Sequence, residues 1–181
     1  MPRLSKPKVR SILNRADTGK TTTERGRAFE DLLCYLFGCV PGVTITKRDA
    51  LNSFGSEEID VAFWNTRHPN GLYFLSHIIL AECKNWLNPV GSSEIVSFSE
   101  KMKRRAQTYG ILFAASGITG DAAQRTSAHD IVTSALNDGR HVLVLTRSEI
   151  ESLSHSKDLV RLLQEKLCEL AVLGTVNLAI P

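Results

Sequence analysis

Two short segments carry side chains with chemistry to offer, Ile59-Asp60-Val61 and Ala81-Glu82-Cys83-Lys84. Side chains two apart in a strand share a face, so Glu82 and Lys84 point together while Cys83 turns to the opposite, packed side. Hard divalent cations of the Mg²⁺ kind, with Mn²⁺ as a substitute, take oxygen ligands, and Asp60 with Glu82 can offer two carboxylates around one position. A cation there would polarise a phosphodiester and lower the pKa of a water that attacks phosphorus. Lys84 could orient that water and offset phosphate charge. Whether it also accepts a proton depends on burial, which lowers a lysine pKa, against the two carboxylates, which raise it.

An isolated Glu-x-Lys reads as no more than a strand-edge ion pair. Its surroundings give it weight. Leu72 to Lys84 has an Ile78-Ile79-Leu80-Ala81 centre that is apolar on both faces, as in a strand covered by helices. Before it, Val43 to Lys47 and Ile59 to Trp64 alternate like strands, with turn residues from Asn52 to Gly55, and together suggest a hairpin. Earlier still, Phe29, Leu32, Leu33, Leu36 and Phe37 follow helical spacing, and Gly38 with Pro41-Gly42 stops the run. Glu30 sits at the border of that buried face and could complete a metal site or hold a water ligand.

After the Glu82 strand, Ile95, Phe98, Met102, Ala106 and Tyr109 make one apolar stripe of a helix, with Lys101, Lys103, Arg104 and Arg105 on its other sides. Those four could track a nucleic-acid backbone or simply form a solvated face. A strand from Ile111 to Ala115, a helix from Asp121 to Asn137, a strand from His141 to Thr146 and a helix from Lys157 to Leu173 complete the chain. The order predicts an α/β fold, a mixed central sheet flanked by helices.

With 181 residues and 43% hydrophobic content the chain suits one domain. The net charge is +3, but residues 1–20 carry six basic side chains against Asp17 alone, leaving the remainder at −2. With Pro2 and Pro7 and no sustained periodicity, residues 1–20 read as a flexible basic arm and 21–181 as the single domain. No apolar run reaches the roughly 18 residues that span a bilayer, and no secretory signal is evident, so a cytoplasmic protein without membrane contact is expected. Cys34, Cys39, Cys83 and Cys168 show no CxxC pairing, and the five histidines are scattered, which argues against zinc.

These segments resemble the PD-(D/E)xK nuclease superfamily and, within it, Mrr-type restriction endonucleases. The likeness runs from residue 24 to about 146 through Gly26-Arg27-Ala28-Phe29-Glu30, Glu58-Ile59-Asp60-Val61, Ala81-Glu82-Cys83-Lys84, Tyr109-Gly110-Ile111-Leu112-Phe113 and Ala114-Ala115-Ser116-Gly117 with Asp121-Ala122. It implies a restriction-endonuclease-like αβββαβ core with an additional C-terminal strand and helix, and Mg²⁺-dependent hydrolysis, usually of DNA. Asp60 and Glu82 would be metal ligands, Lys84 the catalytic lysine and Glu30 the helical acid. No proline precedes Asp60, and Glu58 stands where a glycine is frequent; it could assist the metal or face solvent.

The resulting expectation is a DNA endonuclease of restriction or defence against foreign DNA. Its alternatives are a non-cleaving nucleic-acid-binding or assembly subunit with the same fold, and a nuclease of RNA or branched DNA. Cutting two strands would suit a homodimer, with the last helix as one candidate contact. An activating ligand or partner subunit stays open.

Overall fold

The structure, a computed structural model, describes residues 1–51, 57–121 and 126–176. Five strands form one sheet in sequential order: β1 (Val43–Leu51), β2 (Glu58–Asn65), β3 (Ile78–Lys84), β4 (Tyr109–Ala114) and β5 (His141–Leu145). The first three are antiparallel neighbours and the last three run parallel. This is the mixed sheet expected, with the Val43 strand and the Ile59 strand paired as a hairpin. The turn expected at Asn52 to Gly55 lies outside the described residues.

Helix α1 (Lys6–Thr18) corrects the reading of residues 1–20 as a flexible arm. Val9, Ile12, Leu13 and Ala16 fall at helical spacing and are buried, while Lys8, Arg10 and Arg15 stay on the exposed side. Ser5 caps it by accepting from the Lys8 N–H, and Pro7 sits in the first turn, where a missing N–H costs nothing. A stripe of four small or medium apolar residues among six cations looks like a solvated tail until a partner is there to cover it. That partner is α2 (Thr22–Gly38), against which α1 packs.

The buried face of α2 holds Phe29, Leu32, Leu33, Leu36 and Phe37. Phe29 stacks on Phe113 of β4 with ring centroids 3.9 Å apart, and Phe37 stacks on Phe63 of β2 at 4.8 Å. These contacts lay α2 across one side of the sheet. The other side carries α3 (Ser92–Arg104), which comes so close to Gly110 that a β-carbon there would lie 2.5 Å from Met102 Sδ and 2.8 Å from the Phe98 ring. Gly110 is therefore what permits the helix to sit against β4.

The stripe through Ala106 and Tyr109 overestimates this helix. It stops at Arg104, Ala106 adopts a φ of 50°, and the Gln107 N–H returns to the Met102 carbonyl at 2.9 Å. The chain must reverse there to enter β4 parallel to β3, and Tyr109 opens that strand.

Helix α4 (Ala128–Asn137) packs beside α3 and β5, and its expected start at Asp121 runs into residues 122–125, outside the described region. A short α5 (Arg147–Ser152) with a capping box precedes α6 (Ser156–Leu173). Leu159, Leu163 and Leu170 of α6 are fully buried within the chain's own core, against β5 and α2. The apolar face considered for a dimer contact thus finishes the monomer. Among the described residues no helix is long and apolar enough to cross a membrane.

Candidate active site

The register fixes which charged side chains meet. Ala62 pairs with Leu80 and Val61 with Ala81, so the next position on each strand brings Asp60 opposite Glu82 on the face toward α3. The ladder between the two strands ends there. Instead of a strand carbonyl, the Asp60 carboxylate accepts the Cys83 N–H at 2.6 Å. An acidic side chain thereby replaces a ladder acceptor at the point where β2 and β3 part.

Glu82 is buried at the end of an apolar strand, 5% exposed, and takes two ammonium partners. Lys84 Nζ donates to one carboxylate oxygen at 2.9 Å, as strand alternation requires. Lys101 reaches down from α3 and donates to both oxygens, at 3.0 and 2.9 Å. Cys83 turns to the opposite face and packs partly buried against the core, where burial pushes its thiol up.

Glu30 approaches from α2, on the far side of the sheet, and is held by Arg48 of β1 at 3.3 Å. The same guanidinium donates to Asp31 at 2.8 Å. Burial pushes the Glu30 carboxyl up to about 7 against the bond from Arg48, with Asp49 and Asp60 adding to the rise. Asp60 is likewise pushed up to about 6, by burial first and by Glu82 second, although the Cys83 N–H and both lysines oppose this. Burial works to lower the Lys84 pKa, but Glu82 and Asp60 outweigh it and leave the amine above its ordinary value. In this arrangement Lys84 is an ammonium at neutral pH.

Glu58 is exposed and makes no part of this cluster. The four cations Lys101, Lys103, Arg104 and Arg105, read as candidate phosphate contacts or a solvated face, do not share one surface. Lys101 belongs to Glu82, and Arg105 turns inward to Glu57 at 3.0 Å, while Arg104, also bonded to Glu57, and Lys103 stay exposed. A helix turns about 100° per residue, so four cations within five positions must divide between the sheet side and solvent.

Arg48 is the site member that sequence reading missed, while Lys101, read there only as a candidate nucleic-acid contact, stands on Glu82 instead. Lys101 lies next to buried Met102 and three residues after Phe98, at the border of its helix's apolar face, the same signal that singled out Glu30. Arg48 lies beyond a strand bulge between Ile45 and Lys47, which shifts the face it presents.

Among the described residues no three His, Cys, Asp or Glu side chains converge as a ready-made metal cage. A hard divalent ion needs none, since Mg²⁺ is held by one or two carboxylates and keeps several waters. Asp60 and Glu82 fit that donor set. Burial chiefly holds two of the acids above their ordinary range while ammonium groups stand on the Glu82 oxygens, a perturbation of the kind that clusters at functional sites.

Comparison with known proteins adds to this geometry. Neither the curated proteins nor the solved structures include a match to the chain. A family model described as restriction endonuclease, the Mrr catalytic domain, matches residues 22–144, which take in α2 through β5 and every charged residue of the cluster. The helix-sheet-helix frame, the paired acids at the end of β3 and this match agree, and the chain belongs to the Mrr-type restriction endonuclease family of the PD-(D/E)xK class.

Proposed function

We propose that this chain is a divalent-metal-dependent endonuclease that hydrolyses phosphodiester bonds of DNA, in restriction or defence against foreign DNA. The observation that carries the reading is the meeting of Asp60, Glu82, Lys84 and Lys101 where β2 and β3 part. Mg²⁺, or Mn²⁺ in its place, would be held by Asp60 and Glu82, with Glu30 behind them, and would supply charge for the phosphorane-like transition state and for activating water.

Lys84, bonded to Glu82 on the same strand face, would orient the attacking water and offset phosphate charge. Asp60, anchored by the Cys83 N–H, has a fixed orientation before any ligand arrives, which is the preorganisation catalysis requires. Glu30 is held by Arg48 and feels the Asp60 charge, which adds to the rise of its carboxyl pKa. Lys103 and Arg104 on the exposed side of α3 could reach phosphate oxygens by exchanging their surface partners Glu100 and Glu57.

The deciding experiment incubates wild-type and Lys84→Ala protein with supercoiled plasmid, linear duplex, single-stranded DNA and RNA, in Mg²⁺, Mn²⁺ or EDTA. Metal-dependent cutting of DNA by the wild type, reduced on the order of 10³-fold in the variant, is expected for loss of a group that offsets transition-state charge. Folded wild-type protein that cuts none of these substrates would make the chain a binding subunit. Cutting that survives the substitution would mean the site lies elsewhere.

A further inference from the structure

The carboxyl ends of β3, β4 and β5 open onto a cavity of about 890 Å³, bounded by the end of α1 and the first turn of α2. Ligands of open α/β sheets bind outside the carboxyl ends of parallel strands, and the volume is that of a small-molecule site. One wall is apolar. Trp86 is 45% exposed and Leu87 99% exposed, on the loop that follows Lys84. The loop is tied down: Ser116 Oγ donates to the Trp86 carbonyl at 2.7 Å and the Leu87 carbonyl at 2.9 Å, and Asn85 Nδ2 donates to the Ala16 carbonyl at 2.9 Å. Folding thus fixes two large apolar side chains in water, which exposes them at a cost that their own packing does not recover.

The other wall is cationic. Arg147 is clamped by Asp17 and Lys84 by Glu82, so among the described lining residues Arg25, exposed on the first turn of α2, is the cation without an ion pair. Lys84 faces both the cavity and the acidic cluster, and its Nζ lies 5.8 Å from the centre of the Trp86 ring. The cavity therefore continues directly from the proposed scissile phosphate.

We infer that this cavity receives one unpaired nucleotide of the strand being cut, with its base on the Trp86 indole and its phosphate on Arg25. The inference rests on the nuclease reading and narrows its substrate. Paired bases hide their faces in the stack, so an aromatic wall inside a cavity can be covered only by a nucleotide that has left it, as in single strands, bulges and branch points. A base there satisfies the exposed indole and leucine, and its phosphate neutralises Arg25.

The test reads binding in EDTA, so that it does not depend on cleavage. In a Trp64→Phe background, Trp86 emission should be quenched by single-stranded DNA and by a duplex with a one-nucleotide bulge, and not by the same duplex without it. With tryptophan otherwise native, Trp86→Ala and Arg25→Ala should each weaken binding of the bulged duplex roughly tenfold and of the intact duplex by less than about twofold. Trp86→Phe, which keeps an aromatic face, should restore most of the loss. Absence of quenching, or equal losses on bulged and intact duplex, overturns the inference. Failure of the nuclease reading would show separately, as folded wild-type protein that cuts none of the substrates with Mg²⁺ or Mn²⁺.

Discussion

Two ion clusters, built from the same kinds of side chain, each lend residues to the Trp86 cavity. At one, Arg147 clamps Asp17 with two parallel bonds of 2.6 and 2.8 Å and also holds Glu151 at 3.1 Å. The Arg147 bond outweighs burial and lowers the Asp17 pKa. At the other, Asp60 and Glu30 are held well above the ordinary carboxylate range although Lys84, Lys101 and Arg48 stand nearby. The first cluster sets one guanidinium between two acids near solvent, where water screens the charge left over. The second gathers three acids in and around the core with their cations already shared. The partly exposed clamp joins α5 to the end of α1; in the other cluster burial holds two acids above their ordinary range despite the cations beside them, which marks it as the candidate functional site.

Breaking the shared lysine tests the comparison through catalysis. Lys101→Met leaves Glu82 with Lys84 alone, and cleavage is expected to fall roughly 10- to 100-fold, the usual effect of removing a partner that orients a metal ligand. Lys101→Arg should recover part of it. Manganese binding measured by calorimetry gives a readout besides turnover: a changed affinity in Lys101→Met is expected, and wild-type affinity with wild-type cleavage would remove Lys101 from the site.

The next effect is on stability and has opposite signs in the two clusters. Asp60 has a folded pKa of about 6 against an ordinary 3.8, so above that window the folded state carries a carboxylate that the unfolded state holds more comfortably. Asp60→Asn should stabilise the metal-free protein by about 1 to 3 kcal/mol at pH 8 while abolishing cleavage. That gain should shrink as the pH falls through about 6, because wild-type Asp60 then takes up its proton. Urea denaturation of both proteins at pH 8 and pH 5 checks this, and a gain independent of pH would show that charge is not its source.

The smallest effect belongs to the Arg147 cluster. Asp17, lowered by Arg147, contributes stability that is present above the ordinary carboxylate pKa and is lost as the pH falls through its lower folded value. Since the pair is partly exposed, Arg147→Met should cost no more than about 1 kcal/mol at pH 7. A larger loss by thermal denaturation would mean that the clamp holds α1 in place and the contrast between the clusters is less than drawn here.

Much of this was legible from residue spacing. Period-two alternation put Glu82 and Lys84 on one face, the helical stripe of α2 set Glu30 at its border, and the apolar centre of β3 marked the middle strand, because each is a local consequence of backbone geometry. What spacing could not supply was contact between elements. Helix α1 escaped notice because its stripe has meaning only against α2, and α3 ended early because the chain had to turn into a parallel strand. That Lys101 meets Glu82 depends on the close approach of α3 at Gly110, and that Arg147 meets Asp17 depends on joining residues 130 positions apart. The sequence by itself determined which side chains could do chemistry and on which face of each element they lie. Only the tertiary structure decided which cations those acids share, because burial and charge pairing are properties of what packs above a face and not of the face itself.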